Sequence, residues 1–247
     1  MKIVNAEWEL RNLGKRTVEL TLEKADLLLE PRVIYDNIKK AETQLQSEYT
    51  VVKVPAGNPQ IGMELQQNGF WHIEMQLHLK AALADVISAI KKYDNLFEDA
   101  SAQVISSEDD ITYVQNEIRK GIFTTDRIAL DPYFGVEIAN QRYANWVEDE
   151  INRGSILSYT IINKQKVGFS LRRNNQGLLG GVFTQYQKDN YGAECQIAGW
   201  RNLIHQGLET FYTAVSSNNL KILHLHEAFG YRVKSLSDVF VKHNHQN

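Results

Sequence analysis

The sequence predicts an α/β protein of the α+β kind, with a mixed sheet, and three observations predict it. Residues 208–233 read as strand, helix, strand: a β-pattern run from Leu208 to Val215, a turn at Ser216-Ser217-Asn218, and a helix carrying Ile222, Leu225 and Phe229 at helical spacing. Gly230 then offers the left-handed position that ends a helix at low cost, and Tyr231-Arg232-Val233 restarts an extended pattern. Residues 155–184 hold three further β-pattern runs, joined by Asn163-Lys164-Gln165 and Arg173-Asn174-Asn175-Gln176, both with hairpin chemistry. From Trp71 onward Ile73, Met75, Leu77 and Leu79 alternate with His72, Glu74, Gln76 and His78, the period of a half-buried strand. Crossover units and a hairpin meander in one chain call for a sheet of mixed direction.

In chain order, Ala6–Leu10 and Arg16–Leu22 read as strands around the turn Asn12-Leu13-Gly14-Lys15. Pro31 opens a helix carrying Val33, Ile34, Ile38, Ala41 and Leu45, because its missing N–H is unsatisfied at a first helical position anyway. Tyr49–Val54 is a β-branched run, and the turn Pro55–Pro59 leads into a short helix that stops at Gly69. After the Trp71 strand, residues 81–100 hold one helical pattern and end in the stretch Phe97–Ala102, where the domain boundary is placed: residues 1–100, then 101–247. A strand at Gln103–Ser106 precedes Ser107, whose spacing to Asp110 starts a helix from Asp109 to Lys120. Asp126–Gly135 reads as an irregular, aromatic-rich segment before a helix from Val136 to Arg153, and after the meander a helix runs from about Ala193 to Gln206.

The order strand, turn, helix, Gly-aromatic, strand occurs twice, and one offset of 161 residues aligns the copies. Val54 falls on Val215, Asn58 on Asn219, Ile61 on Ile222, Gly69 on Gly230 and Phe70 on Tyr231. The alternative is two unrelated corners. If the repeat holds, the first copy is a half-domain without catalysis, since Leu65 occupies the place of His226.

Composition narrows the function classes. A chain of 247 residues, 43% hydrophobic and 23% charged, is long enough for one large domain or two modest ones. A net charge of −3 gives no overall basic field for nucleic acid or an anionic membrane. One cysteine excludes an intramolecular disulfide, no apolar run reaches spanning length, and the N-terminus carries charges where a signal peptide needs an apolar core, so cytoplasmic residence is expected. Cys195 and His205 are too far apart on one helix to pair, His224 and His226 point to different faces, and His243 and His245 lie in the tail; no metal site is expected.

Asn219, Ile222, Leu225, Gly230 and Tyr231 resemble the acetyl-CoA half-site of the GNAT superfamily of N-acetyltransferases. The element order from residue 103 to 247 is similar to the same fold, so the resemblance implies a GNAT acyl-CoA N-acyltransferase domain preceded by an incomplete GNAT-like one. At the position where that family usually carries a Tyr that protonates the departing thiolate, this chain has His226, which the resemblance makes the catalytic candidate. The family's pyrophosphate loop corresponds to Gln187–Gly192, with Asn190 in place of the first glycine. The donor candidates are therefore Gly181, Val182 and Phe183 for backbone N–H groups, Gln187, Asn190, Tyr191, Gly192 and Ala193 for phosphate, and Asn219 for the pantetheine arm or the helix entry.

Lys53–Ala56, Leu65–Phe70, Asp126-Arg127, Pro132–Phe134 and Arg142–Trp146 further resemble sugar-nucleotide N-acetyltransferases of the TDP-fucosamine acetyltransferase kind. That likeness implies acetyl-CoA as co-substrate, an amino sugar linked to a nucleotide as acceptor, and Arg127, Tyr133, Phe134 and Trp146 as acceptor contacts. No carboxylate is marked as the general base. The partner expected is a small-molecule amine, with no nucleic acid and no membrane, and with a homodimer as the assembly to test. Two rival readings stand beside it: a non-catalytic acyl-CoA-binding or scaffold protein, for which the altered loop and His226 speak, and an acetyltransferase acting on a protein or peptide amine.

Overall fold

The computed structural model describes residues 1–93, 99–189, 191–204 and 206–244. Asn190, His205, His245 and the Phe97-Glu98 part of the expected boundary stretch lie outside the described residues. The N-terminal half contributes β1 (Lys2–Asn5), α1 (Trp8–Leu13), β2 (Thr17–Thr21), α2 (Pro31–Gln44), β3 (Tyr49–Pro55), α3 (Pro59–Gln67), β4 (Trp71–Ala82) and α4 (Leu83–Tyr93). The C-terminal half contributes β5 (Ser101–Val104), α5 (Glu108–Arg119), α6 (Arg127–Leu130), α7 (Gly135–Asn152), β6 (Ile156–Ile162), β7 (Gln165–Arg173), β8 (Gln176–Val182), α8 (Gly192–Leu203), β9 (Thr210–Ser216), α9 (Leu220–Ala228) and β10 (Arg232–His243).

The strands form one mixed sheet in the order β1-β2-β3-β10-β4-β9-β8-β7-β6-β5. The offset of 161 carries β3, α3 and β4 onto β9, α9 and β10 with identical boundaries. Asn58 and Asn219 enter their helices with matching backbone angles, φ −116° and ψ 65° against φ −107° and ψ 65°. Gly69 and Gly230 leave them at φ +86° and +87°, a conformation costly for any residue with a Cβ.

The two copies interlock. β10 lies between β3 and β4, antiparallel to both, and β4 lies between β10 and β9. At the centre Gln76 pairs with Ser237, its own equivalent in the other copy, flanked by Met75 with Asp238 and Leu77 with Leu236. Such a register relates the copies by a local two-fold axis through the β4–β10 pair. The boundary expected at 100/101 falls between α4 and β5, while the sheet runs through both segments.

Helices cover the sheet on two faces, as a mixed sheet of this width requires. On one face of the C-terminal half Val114, Ile118, Ala144 and Val147 of α5 and α7 pack on Leu157, Tyr159, Phe169 and Leu171. On the other, Val86 and Ile90 of α4 with Ile197 and Trp200 of α8 pack on Leu77, Leu79, Phe211 and Val215. In the N-terminal half Ile34, Ile38, Ile61 and Leu65 cover Val18, Leu20, Val52 and Val54. Each fully buried aliphatic of this kind stabilises the fold by about 1.5–3 kcal/mol.

Three expectations are corrected. Residues 8–13 form a helix and not part of a strand: Gly14 at φ +64° closes it, and Glu9 and Leu13, one turn apart, both turn inward. Arg127–Leu130, expected to be irregular, is a helical turn because the Asp126 carboxylate accepts the Ala129 N–H at 3.0 Å. His243 is no mobile tail residue, since β10 carries it into a packed position where Nε2 meets the Asp131 carboxylate at 2.9 and 3.1 Å beneath the Tyr133 ring.

Candidate active site

β8 and β9 run parallel, and a single residue pair, Gln176 with Tyr212, joins them near their N-terminal ends. The closed end is pinned by the Tyr212 N–H donating to the Asn175 carbonyl at 3.0 Å and by Asn175 Nδ2 donating to the Thr210 carbonyl at 2.9 Å. Beyond it the strands part and a cleft of about 560 Å³ opens through the sheet. The corresponding strands of the other copy, β2 and β3, stay zipped over five pairs from Thr17–Tyr49 to Thr21–Lys53. One fold thus occurs twice in the molecule, closed in the N-terminal copy and open in the C-terminal one.

On the open side β8 presents backbone groups that no strand satisfies. The Phe183 N–H donates to the Val167 carbonyl at 2.8 Å, so by alternation Gly181 also faces β7 while Gly180 and Val182 face the cleft. Strand amides left unpaired beside a cleft are donors available to a ligand's carbonyl. Of the three expected donors, Val182 has that orientation, Gly181 lines the cleft, and the buried Phe183 ring packs in the core instead.

Between β8 and α8 the backbone coils into a 3₁₀ helix over Thr184–Asp189, in place of the open loop expected from Gln187 to Gly192. Gly192 lines the cleft, with space for a Cβ only up to 3.6 Å from the Leu225 side chain. Gln187 is exposed, Tyr191 packs near Tyr186 and Cys195, and Ala193 packs beside the Leu77 to Tyr231 core; none of the three lines the cleft. Asn190 lies outside the described residues.

α9 closes the opposite wall. Asn219 Oδ1 accepts the Ile222 N–H at 3.2 Å, which fixes the helix entry at the cleft's edge. His226 lines the cleft with its ring edge on Tyr231, centroids 4.8 Å apart, and Nδ1 has no partner among the described residues. Burial pushes its pKa down to about 4, so at neutral pH the imidazole is uncharged. Cys195 also lines the cleft, and burial raises its thiol to about 11, leaving it protonated.

On the α7 face the mouth is formed by Gln76, Phe123, Asp126, Tyr143, Trp146 and Ser216. Of the expected acceptor contacts, Trp146 is here and the other three are elsewhere. Arg127 is buried against Glu19 and Glu9, while Tyr133 and Phe134 stack around His243. Reading the sequence alone missed Glu74, two residues before Gln76 and therefore on the same sheet face. It is buried, Oε2 has no partner among the described residues, and burial raises its pKa against the lowering effects of a hydrogen bond from Ser216 and of Arg127. The signal lay in the sequence as an acid within an alternating strand, which exposure to solvent would equally explain.

This architecture is a tandem GNAT fold with an open cleft between β8 and β9. No family model and no curated protein sequence matches the chain. Among solved structures it is similar to a GCN5-related N-acetyltransferase from Sphaerobacter thermophilus, at 10% identity over 98% of this chain and 75% of that one, TM-score 0.61. It is also similar to a functionally unknown conserved protein from Staphylococcus epidermidis, at 17% identity over 93% and 85%, TM-score 0.57. A tandem GNAT protein of the clavulanic acid biosynthesis pathway matches at 10% identity over 87% and 70%, TM-score 0.51. At these identities the likeness is one of fold.

Proposed function

We propose that the chain is an N-acyltransferase that moves an acetyl or related acyl group from its coenzyme A thioester to the primary amine of a small molecule by direct transfer. The observation that carries this is the contrast between the copies: β8 and β9 are splayed where β2 and β3 are paired. In the proposed reaction the amine nitrogen attacks the thioester carbon, and the oxyanion is met by the cleft-facing amides of β8. The carbon–sulfur bond then breaks, and the sulfur leaves beside His226. The ammonium proton passes to Glu74 through water or the Ser216 hydroxyl, since Glu74 lies behind the cleft-lining Ser216, and a carboxylate raised by burial is a better base than an ordinary one. Of the four acceptor contacts that the sugar-nucleotide likeness implies, Trp146 alone lines the cleft, so the acceptor proposed is a small-molecule amine without a nucleotide requirement.

Acetyl-CoA is expected to bind at low to middle micromolar Kd, about −7 to −8 kcal/mol. Calorimetry showing neither heat nor a thermal shift at millimolar acetyl-CoA would remove the reading. Glu74→Gln should lower turnover about 100-fold with acetyl-CoA affinity unchanged. Wild-type turnover should fall on the acid side with a midpoint above the usual carboxylate range, and an unchanged midpoint in the variant would exclude Glu74 as base.

A further inference from the structure

Beneath α8 the sheet face is apolar on β4 and β9, where Ile197 and Trp200 pack, but carries a polar strip on β6 and β7 where a helix-covered face is usually aliphatic. Alternation along β7 sends Phe169, Leu171 and Arg173 toward α7, and Gly168, Ser170 and Arg172 toward α8. The burial partners agree: Leu171 packs with Ala144 and Val147, Arg173 pairs with Glu150 of α7 at 3.3 Å, and a Cβ on Gly168 would meet Cys195 Sγ of α8. On β6, Ser158 lies on the α8 side, and Thr160 hydrogen-bonds Cys195 there. Ser158, Thr160 and Arg172 are all buried. Opposite them α8 presents Gln196, Gly199 and Leu203 to the cleft, and a Cβ added at Gly199 would meet no atom within 4 Å.

Arg172 is the anomaly of this surface. It is 9% exposed, Nη2 has no partner among the described residues, and Nη1 reaches only the Asn174 carbonyl at 3.4 Å. Arg173 beside it pairs with a carboxylate, and Arg172 has none among the described residues. Burial pulls its guanidinium below the ordinary arginine value, and no charge among the described residues acts the other way. A buried cation with an unmet N–H costs stability by itself and is explained by an anion that arrives later.

We infer that Arg172 is the carboxylate anchor of an acyl-chain subsite under α8, so that the preferred donor is the coenzyme A thioester of a dicarboxylic acid. The inference rests on the acyltransferase reading above. Donor and not acceptor is indicated because Arg172 is on the face of α8 and α9, where Gly192, Asn219 and His226 line the same cleft, and the acceptor mouth opens on the α7 face. The cleft follows α8 from Gly192 to Leu203, about 16 Å of helix, far more than an acetyl group fills. Ser170, paired with the cleft-facing Gly180, is two strand residues from Arg172, about 7 Å, which a short diacid chain and the arginine side chain span together. A single cation calls for a monoanion; a phosphate would leave charge uncompensated.

The test is calorimetric titration of the full chain with acetyl-CoA and with succinyl-CoA, without acceptor, in the wild type and in Arg172→Met. Succinyl-CoA should bind the wild type about tenfold tighter, the yield of one charge-assisted hydrogen-bonded pair. Arg172→Met should abolish the difference and leave acetyl-CoA affinity unchanged. If the Met variant does not fold, Arg172→Gln serves, and the wild-type ratio stands as a test without either. Equal wild-type affinities, or a preference that survives both substitutions, overturns the inference and leaves the acyltransferase reading intact. Absence of binding by both thioesters overturns the two together.

Discussion

Arg127→Met is expected to lower the free energy of unfolding by about 3–5 kcal/mol, read as a shift of the urea midpoint at unchanged slope. Arg127 is buried between Glu19 of β2, which it contacts directly, and Glu9 of α1 at 3.5 Å. Arg142 of α7 holds the same Glu9 with Nη2 at 2.6 Å and Nε at 2.8 and 2.9 Å. Two carboxylates from the N-terminal half and two guanidinium groups from the C-terminal half thus share one largely buried site. Burial pushes the Glu19 carboxyl up, but Arg127 and Lys53 outweigh it and hold it at about 2. Its folded-state value therefore lies below the ordinary 4.5, so this contribution is complete above about pH 4.5 and is lost as pH falls toward 2. Removing Arg127 leaves a buried anion unpaired. The double variant Arg127→Met, Glu19→Gln should regain most of the loss, because the charge that lost its partner is gone as well. A single variant within 1 kcal/mol of wild type would show that the network does not hold the halves together.

Arg127 also shows where reading the sequence reaches and where it stops. The Asp126-Arg127 motif stands out in the chain, but whether its guanidinium meets a substrate or a carboxylate depends on Glu9 and Glu19, more than 100 residues away, and no local pattern encodes that. The repeat was legible for the opposite reason. Asn58 and Asn219 at helix entries and Gly69 and Gly230 at helix exits are dictated by the backbone angles of their own few residues, so an offset of 161 could be read without knowing the fold. The interlocking of β10 between β3 and β4 is a long-range pairing between two strands of similar pattern, and it left no trace in either. The open cleft was half legible. Gly177, Gly180 and Gly181 thin β8 where β2 carries no glycine, yet only the loss of pairing to β9 shows that the space is used for a cleft. Arg172 was invisible because an arginine in an edge-near strand reads as a solvated one. The strand expected at Ala6–Leu10 failed because Glu9 and Leu13 are buried together on one side of a helix, and the partner that buries Glu9 is Arg142, far along the chain.

His226→Ala is expected to reduce turnover about 100-fold with little change in acyl-CoA affinity. Negative charge grows on the sulfur only as the carbon–sulfur bond breaks, so an interaction with it belongs to the transition state and leaves ground-state binding alone. The structure defines the form in which His226 would act. With its pKa at about 4, roughly one molecule in a thousand carries the imidazolium at pH 7, so the resting group is a neutral ring that offers an N–H to the sulfur. A thiolate forming beside it raises the ring's affinity for a second proton, which then stabilises the leaving group. His226→Gln, which keeps an N–H donor without that second proton, should fall between wild type and Ala. His226→Tyr should keep most activity if the cleft admits the larger ring beside Tyr231. The same burial has a consequence that needs no substrate. The folded-state pKa, about 4, lies below the ordinary 6.5, so the unfolded chain binds the proton first as pH falls. Stability from this group is complete above about pH 6.5 and declines as pH drops toward 4, by about 3 kcal/mol in total. His226→Gln should remove that part of the slope. Equal pH–stability curves for wild type and His226→Gln would place the imidazole in water, and an Ala variant turning over at the wild-type rate would leave His226 as packing for Tyr231.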